Sequence, residues 1–306
     1  KYLHAPEGIV HVRYPTAGRR TNRRLEAQPF HLRSGIPWEE FMLAVNSNMT
    51  NAEAYRDLLK RDYGYRLNTG VDTEIMMHLL DLIKHELYNE QGKKRPSFED
   101  VLERFAQCVD GDYSIVYMDG EGDLHAFCDP LGMRPLHYAE NENMFAVASE
   151  SSALARPSFF RPEEVKAVQP GHVVSYHRGA VSEKRFAISS SLEHCVQDTA
   201  RCHFEFVYFM KRASSFAGIS THLFRKRLGY YLGRSEPLRE HIAVHPDDYL
   251  VVPVPKTARP AALEMARILK IDYAEGMEKE EESGRTFIED DGKRRDLIED
   301  KYMYVT

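Results

Sequence analysis

Arg13, Asp72, Asn46 and Ser47 are the residues of this chain whose types fit one chemistry, the holding of a free amino acid while its side-chain amide is hydrolysed. A free amino acid brings a carboxylate and an ammonium, each costly to desolvate unpaired, so its pocket needs a cation and an anion. Arg13 offers a planar fork that matches a carboxylate with two parallel hydrogen bonds. Asp72 opens an apolar-periodic segment, where a helix dipole favours negative charge. Amide hydrolysis also needs donors aimed at the developing oxyanion. The Asn46 side-chain amide and the Ser47 backbone N–H can supply them, with Asn48 and Asn51 holding a tight turn by local hydrogen bonds. Each residue also has a plainer reading. Arg13 fits a surface ion pair at a strand end, Asp72 a helix N-cap, and Asn46-Ser47-Asn48 a polar turn after a strand. Taken singly, the residue types favour the plainer reading.

The elements that must position these groups follow from periodicity. Ile9, Val10 and Val12 around His11 and Arg13 predict a strand over Gly8 to Tyr14. A second strand fits Phe41 to Val45, and Asn51 is placed to cap a helix from Ala52 to about Arg61. Asp72 begins the strongest helix, with Ile75, Met76, Leu79, Leu80, Ile83 and Leu87 at the helical period and Glu74 in its first turn. Ser97 and Asp100 make a capping-box-like start before Val101, Leu102, Phe105 and Ala106. From Tyr113 the pattern turns to short alternating runs with turns at DGEGD and Arg178-Gly179, an antiparallel sheet region. Helices and strands are thus segregated, an α+β arrangement up to about residue 190, where Ser189 to Ser191 make a linker. Beyond it, strands at Phe204 to Phe209 and Tyr249 to Val254 alternate with helices at Leu223 to Leu232 and Pro260 to Leu269, which predicts α/β with a parallel sheet. PVPKTARP at 253 to 260 reads either as an anion-accepting helix N-terminus or as an ordinary strand-loop-helix connection. The charge-dense stretch Glu275 to Arg295 is expected to be mobile.

Bulk properties narrow the classes. The chain has 306 residues, 42% hydrophobic and 29% charged, enough for two cores. Its formal charge of -6 gives no general attraction for a polyanion, so nucleic acid is not an expected partner. No long apolar run or signal-peptide pattern predicts a membrane span or export, which makes cytoplasm the expectation. Cys108, Cys128, Cys195 and Cys202 lack CxxC spacing and predict neither a disulfide framework nor a zinc site.

Taken together and in order, several strings resemble the glutamine phosphoribosylpyrophosphate amidotransferase family. They are GIVHVRYPTAG from Gly8, EAQPF from Glu26, NSNMTNAE from Asn46, NTGVDTE from Asn68, FCDPLGMRPL from Phe127, AVASESSAL from Ala146, FEFVYF from Phe204, PVPKTARPAALEMA from Pro253 and GRTFI from Gly284. The resemblance implies a class II glutamine amidotransferase domain over residues 1–190, an N-terminal-nucleophile hydrolase αββα sandwich incomplete at its N-terminus. Residues 191–306 would begin an α/β phosphoribosyltransferase domain. By the same resemblance Arg13 grips the glutamine carboxylate, Asp72 its amino group, Thr16 lines the pocket, and Asn46 with the Ser47 N–H forms the oxyanion hole.

The family attacks glutamine with an N-terminal cysteine and passes the ammonia to phosphoribosyl pyrophosphate, giving phosphoribosylamine, the first step of purine nucleotide synthesis. The resemblance reads this chain as truncated at both ends, without that cysteine and without the phosphate loop, so the chain as given is expected to be inactive. Mg2+ is expected in the complete parent enzyme. Cys202 matches one ligand position of the iron-sulfur cluster found in some members, which leaves cluster content open. Glutamine, phosphoribosyl pyrophosphate and further copies of the chain are the expected partners. Val45 and Ser47 replace a usual His and Gly, and a positive φ at Ser47 would be strained. Lys256 stands where the family often has an acid. A noncatalytic glutamine-binding regulatory or assembly relative is the alternative. An amidotransferase making amino sugars or asparagine is disfavoured by FEFVYF and PVPKTARP.

Overall fold

The computed structural model describes residues 7–12, 25–186, 199–280 and 301–305. The chain divides into two compact units, Lys1–Cys202 and His203–Thr306. The serine cluster expected as the linker lies outside the described residues. Residues 200 and 202 belong with the first unit, because Ala200 N donates to Leu131 O and Cys202 N to Met133 O.

The first unit is built on a six-stranded sheet in the order β1-β2-β3-β4-β8-β9. Its strands are β1 (Phe30–Leu32), β2 (Phe41–Met49), β3 (Gly111–Asp119), β4 (Leu124–Cys128), β8 (His172–His177) and β9 (Ala180–Arg185), antiparallel throughout. Alternation along each strand gives the sheet two apolar faces. Phe41, Leu43, Val45, Tyr113, Ile115, Tyr117, Phe127 and Val173 face a helix layer made of α1 (Ala52–Arg61), α2 (Asp72–Glu90) and α3 (Phe98–Cys108). Val116, Ala126, Cys128 and Val174 face a second sheet.

That second sheet runs β6-β5-β7, from β5 (His137–Glu140), β6 (Phe145–Ala148) and β7 (Lys166–Ala167). Tyr138 and Val147 point inward to the first sheet, while Ala139, Ala146 and Ala148 pack outward on Leu154 of α4 (Ser151–Leu154) and on Phe160. The layers are therefore helix, sheet, sheet and a short helical cover.

The helices start where the sequence places them. Ser97 accepts a hydrogen bond from Asp100 N at 3.1 Å, the cap that begins α3. The hairpin at Arg178-Gly179 takes φ of 48° and 85°, the left-handed pair of a type I′ turn. α2 buries more than one stripe, Met77 and Leu82 as well as Ile75, Leu79 and Ile83, because α1 and α3 flank it over the sheet. Gly8 to Val12, expected as a strand, form no ladder, and Val10 and Val12 stand exposed. No partner strand lies beside them among the described residues, and an isolated strand cannot satisfy its backbone. The rest of that stretch lies outside the described residues.

The second unit departs further from expectation. Glu205–Phe209 form a π-helical turn rather than a strand. Arg225, buried, donates Nε to Phe206 O and Nη2 to Met210 O, both at 2.8 Å, and so takes carbonyls that a ladder would need. Phe206 and Met210 pack with Phe216 and Phe224. Leu250–Val251 pairs in parallel with Asp272–Tyr273, the helix Arg259–Leu269 connecting them as a β/α unit. The paired strand is shorter than the predicted Tyr249 to Val254. The helix Thr221–Ser235 lies so close to Arg259–Leu269 that a Cβ on Gly229 would sit 2.0 Å from Ala261 O. Within the charge-dense segment, Met277–Lys279 pairs with Tyr302–Tyr304, and residues 281–300 lie outside the described residues.

One buried cation braces the first unit. Lys84 on α2, 4% exposed, donates Nζ to Trp38 O at 2.7 Å, Glu39 O at 3.3 Å and the Tyr117 hydroxyl at 3.1 Å. Trp38, Phe41 and Tyr117 present their rings to it at 4.8–5.8 Å. Burial lowers its pKa to about 8, opposed by the charges of Asp81, Asp119 and Glu39, while Arg95 adds to the lowering. The folded value lies below the unfolded one of 10.5, so between these values the unfolded chain binds more protons and stability rises with pH. In urea unfolding, wild type should gain roughly 1–3 kcal/mol relative to Lys84→Met between about pH 8 and pH 10. An unchanged difference would show that burial does not lower the Lys84 pKa.

Candidate functional site

The end of β2 and the start of α2 carry the predicted residues. β2 does not stop at Val45. Its ladder with β3 runs on through Asn46↔Ser114, Ser47↔Tyr113, Asn48↔Asp112 and Met49↔Gly111. The expected tight turn at Asn46-Ser47-Asn48 is therefore extended strand, and the chain reverses only at Thr50 and Asn51. A close approach permits this: Gly111 has φ of 138°, and a Cβ there would meet Asn48 O at 2.1 Å. Thr50 N and Oγ1 then donate to Asp110 O and Oδ2 at 2.8 and 2.6 Å. Asn51 does not cap α1 with its side chain; Nδ2 donates to Cys108 O at 2.8 Å and Oδ1 accepts from Asp110 N at 3.1 Å.

Alternation along β2 sets which groups meet. Ser47 shares the helix-layer face with Val45 and Met49, and its Oγ donates to Asp72 Oδ2 at 2.8 Å. Met49 N reaches the same oxygen at 3.4 Å, and Thr73 N donates to Oδ1 at 2.9 Å. Asp72 is the first residue of α2, after the N-cap Val71, so the helix dipole adds to these donors. Asn46 projects from the opposite face of β2 and is exposed. The structure thus joins Ser47 to Asp72 and sets Asn46 beside them along the strand but across the sheet. Arg13 and Thr16 lie outside the described residues. Ser47 is not among the residues of positive φ, so the strain anticipated there does not arise.

Side chains outside the predicted site residues hold this corner. Glu74, 3% exposed, accepts from Asn68 N, Thr69 N and Thr69 Oγ1 at 2.6–2.7 Å, folding the loop before α2 back onto its first turn. Glu three residues after the N-cap was the available signal. Gln28 matches the backbone of Val45 with both amide atoms, accepting from Val45 N at 2.6 Å and donating to Val45 O at 3.1 Å. Its Nε2 also reaches Thr73 Oγ1 at 3.1 Å. At the far side of β3, Arg134 Nε donates to Asp112 Oδ1 at 2.6 Å. Asp129, 1% exposed, gathers Leu131 N and Met133 N with Oδ1, at 3.0 and 3.3 Å. Burial pushes its pKa up to about 6 against the pull of those backbone donors.

The described cysteines do not converge. Cys128 is buried, with Sγ against Gln169 O at 3.3 Å, and Cys108 and Cys202 are partly exposed and free. Cys195 lies outside the described residues.

A glutamine amidotransferase domain model matches residues 19–156, the span that contains this corner. The amidophosphoribosyltransferase of Pasteurella multocida is 33% identical over 294 residues, covering 94% of this chain and 54% of that protein. Those of Saccharomyces cerevisiae and Escherichia coli are each 34% identical, covering 92% of this chain and 53% of theirs. The chain is a homologue of amidophosphoribosyltransferases. It spans about half the length of the curated relatives it matches. A Bacillus subtilis glutamine phosphoribosylpyrophosphate amidotransferase solved with ADP and GMP superposes with TM-score 0.70 at 24% identity, covering 96% of this chain and 57% of that one. The chain accordingly has the fold of that solved amidotransferase.

The acceptor role of Glu74 makes it the most sensitive residue of the corner. Glu74→Ala should lower the unfolding free energy by about 2–4 kcal/mol, because it removes three short hydrogen bonds to a buried carboxylate. Ser47→Ala should cost only about 1 kcal/mol, its hydroxyl being half-buried. Urea denaturation of the two variants checks the order, and an equal loss would contradict it.

Proposed function

We propose that this chain supplies the glutamine-binding part of an amidophosphoribosyltransferase. The whole enzyme would take the amide nitrogen of glutamine and transfer it to phosphoribosyl pyrophosphate, giving phosphoribosylamine at the opening of purine nucleotide synthesis. The observation that carries the reading is homology along more than nine-tenths of the chain to proteins of that name, with the glutamine amidotransferase model falling on the unit that contains Asp72.

In this reading Asp72 receives the substrate ammonium. Its carboxylate is already oriented by Ser47, Met49 N and Thr73 N, so little freedom is lost on binding. Arg13 pairs with the substrate carboxylate and Thr16 lines the pocket. Asn46 and the Ser47 N–H stabilise the oxyanion as a cysteine nucleophile, which the parent enzyme brings, attacks the amide carbon. The amide nitrogen leaves as ammonia and displaces pyrophosphate at the second active site.

Mg2+ would enter with the phosphoribosyl pyrophosphate. Among the described residues of the second unit no three His, Cys, Asp or Glu side chains gather, so no magnesium-dependent step is assigned to them. No described helix is long and apolar enough to cross a membrane. A homo-oligomeric enzyme acting in the cytoplasm completes the proposal.

The test is complementation. The reading frame containing this chain should restore purine-independent growth to cells lacking amidophosphoribosyltransferase. Asp72→Asn should weaken glutamine binding by roughly 10- to 100-fold, the worth of a charged hydrogen bond, while activity with free ammonia persists. Failure to complement, or equal loss of both activities, would refute the reading.

A further inference from the structure

At the other end of β3 from the amidotransferase corner, three metal-ligating side chains meet and a fourth stands beside one of them. Ser114 pairs with Asn46, and Asp119 lies five residues further along the strand, about 17 Å away. One ligand atom from each of Asp119, Asp123 and His125 lies within 4.8 Å of the other two. His177, on the neighbouring strand β8, brings Nδ1 to 2.5 Å from Asp123 Oδ1. We propose that Asp119, Asp123, His125 and His177 form a binding site for a zinc-class divalent cation, which clamps the β3–β4 hairpin to β8.

The donor set is the first argument. Two imidazoles and two carboxylates suit a tetrahedral Zn2+ and do not suit Mg2+ or Ca2+, which take oxygen. Two carboxylates also balance the charge of the ion while both rings stay neutral. The second argument is the frame around the ligands. Asp119 uses Oδ1 to accept from Glu121 N and Asp123 N, both at 3.0 Å, which fixes the turn. Its Oδ2 has only a long contact with Arg95 at 3.4 Å, because Arg95 is held by Glu121 at 2.6 Å. His125 is oriented from two sides, by Ser175 Oγ on Nδ1 at 2.7 Å and by the Phe98 ring at 4.2 Å. An Nδ1–H donated to Ser175 leaves the Nε2 lone pair for a metal, the usual way an outer partner sets a ligand's tautomer.

Ligands of tetrahedral zinc stand about 3.4 Å apart, so Asp119, Asp123 and His125, whose ligand atoms lie within 4.8 Å of one another, must draw together around the ion. His177, being exposed, can rotate toward them, and the ion would replace the hydrogen bond between His177 and Asp123. The site does not depend on the amidotransferase reading, since none of its residues belongs to the Asp72 corner.

Calorimetric titration of the chelator-treated chain with Zn2+ should show one site per chain and a raised thermal midpoint. Co2+ as a probe should give the intense visible bands of a tetrahedral complex. His177→Gln, at a surface position, and Asp123→Asn should each weaken Zn2+ binding by at least about tenfold, with unchanged circular dichroism. Absent binding, equal binding by wild type and both variants, or a six-coordinate cobalt spectrum would each overturn the proposal.

Discussion

The antiparallel ladder between β2 and β3 is the constraint on which the rest of the first unit depends. It is unbroken over nine residue pairs, from Phe41↔Asp119 to Met49↔Gly111, with no bulge to reset the phase of the side chains. A strand without a bulge has no choice about which residues share a face. Ser47 must turn to the helix layer and Asn46 away from it, so the ladder decides which groups can reach Asp72. Slipping the register by one residue would exchange the two faces and drive Asn46 into the apolar layer under α2.

Around that ladder the polar groups are arranged so that side chains complete the backbone bonding. Glu74 gathers the loop before α2, Asn51 links the end of β2 to the end of α3, and Arg225 holds a helical turn in the second unit. Each does for a loop what regular structure does for itself, and each is consequently costly to remove. Lys84 is the one member of this set that carries a charge into an aromatic cage, which couples the packing of α2 to proton activity.

What could be read beforehand was local. Helix α1 was legible over Ala52–Arg61 and α3 from its Ser97 cap, because period and capping are properties of neighbouring residues. The hairpin at Arg178-Gly179 was legible for the same reason. The strand character of Asn46-Ser47-Asn48 was not, since Asn and Ser favour turns and only the facing residues Asp112, Tyr113 and Ser114 make them extend. FEFVYF misled in the opposite direction. Its aromatic and β-branched composition favours a strand, yet a guanidinium sixteen or more residues away in sequence decides the matter. Of the candidate site, the helix that Asp72 opens was readable from the sequence, whereas Ser47 was expected to matter through its own backbone N–H and not through the hydroxyl that meets Asp72.

Gln28 stands opposite Val45 in the continuation of the β1–β2 pairing, where Phe30 faces Leu43. A side-chain amide there closes the donor and the acceptor that an extra strand would otherwise take up. The rim of the sheet is thereby plugged beside Asp72, and a foreign extended peptide finds nothing to zip onto at that point. That closure of Val45 comes from a residue with no charge and no catalytic chemistry of its own.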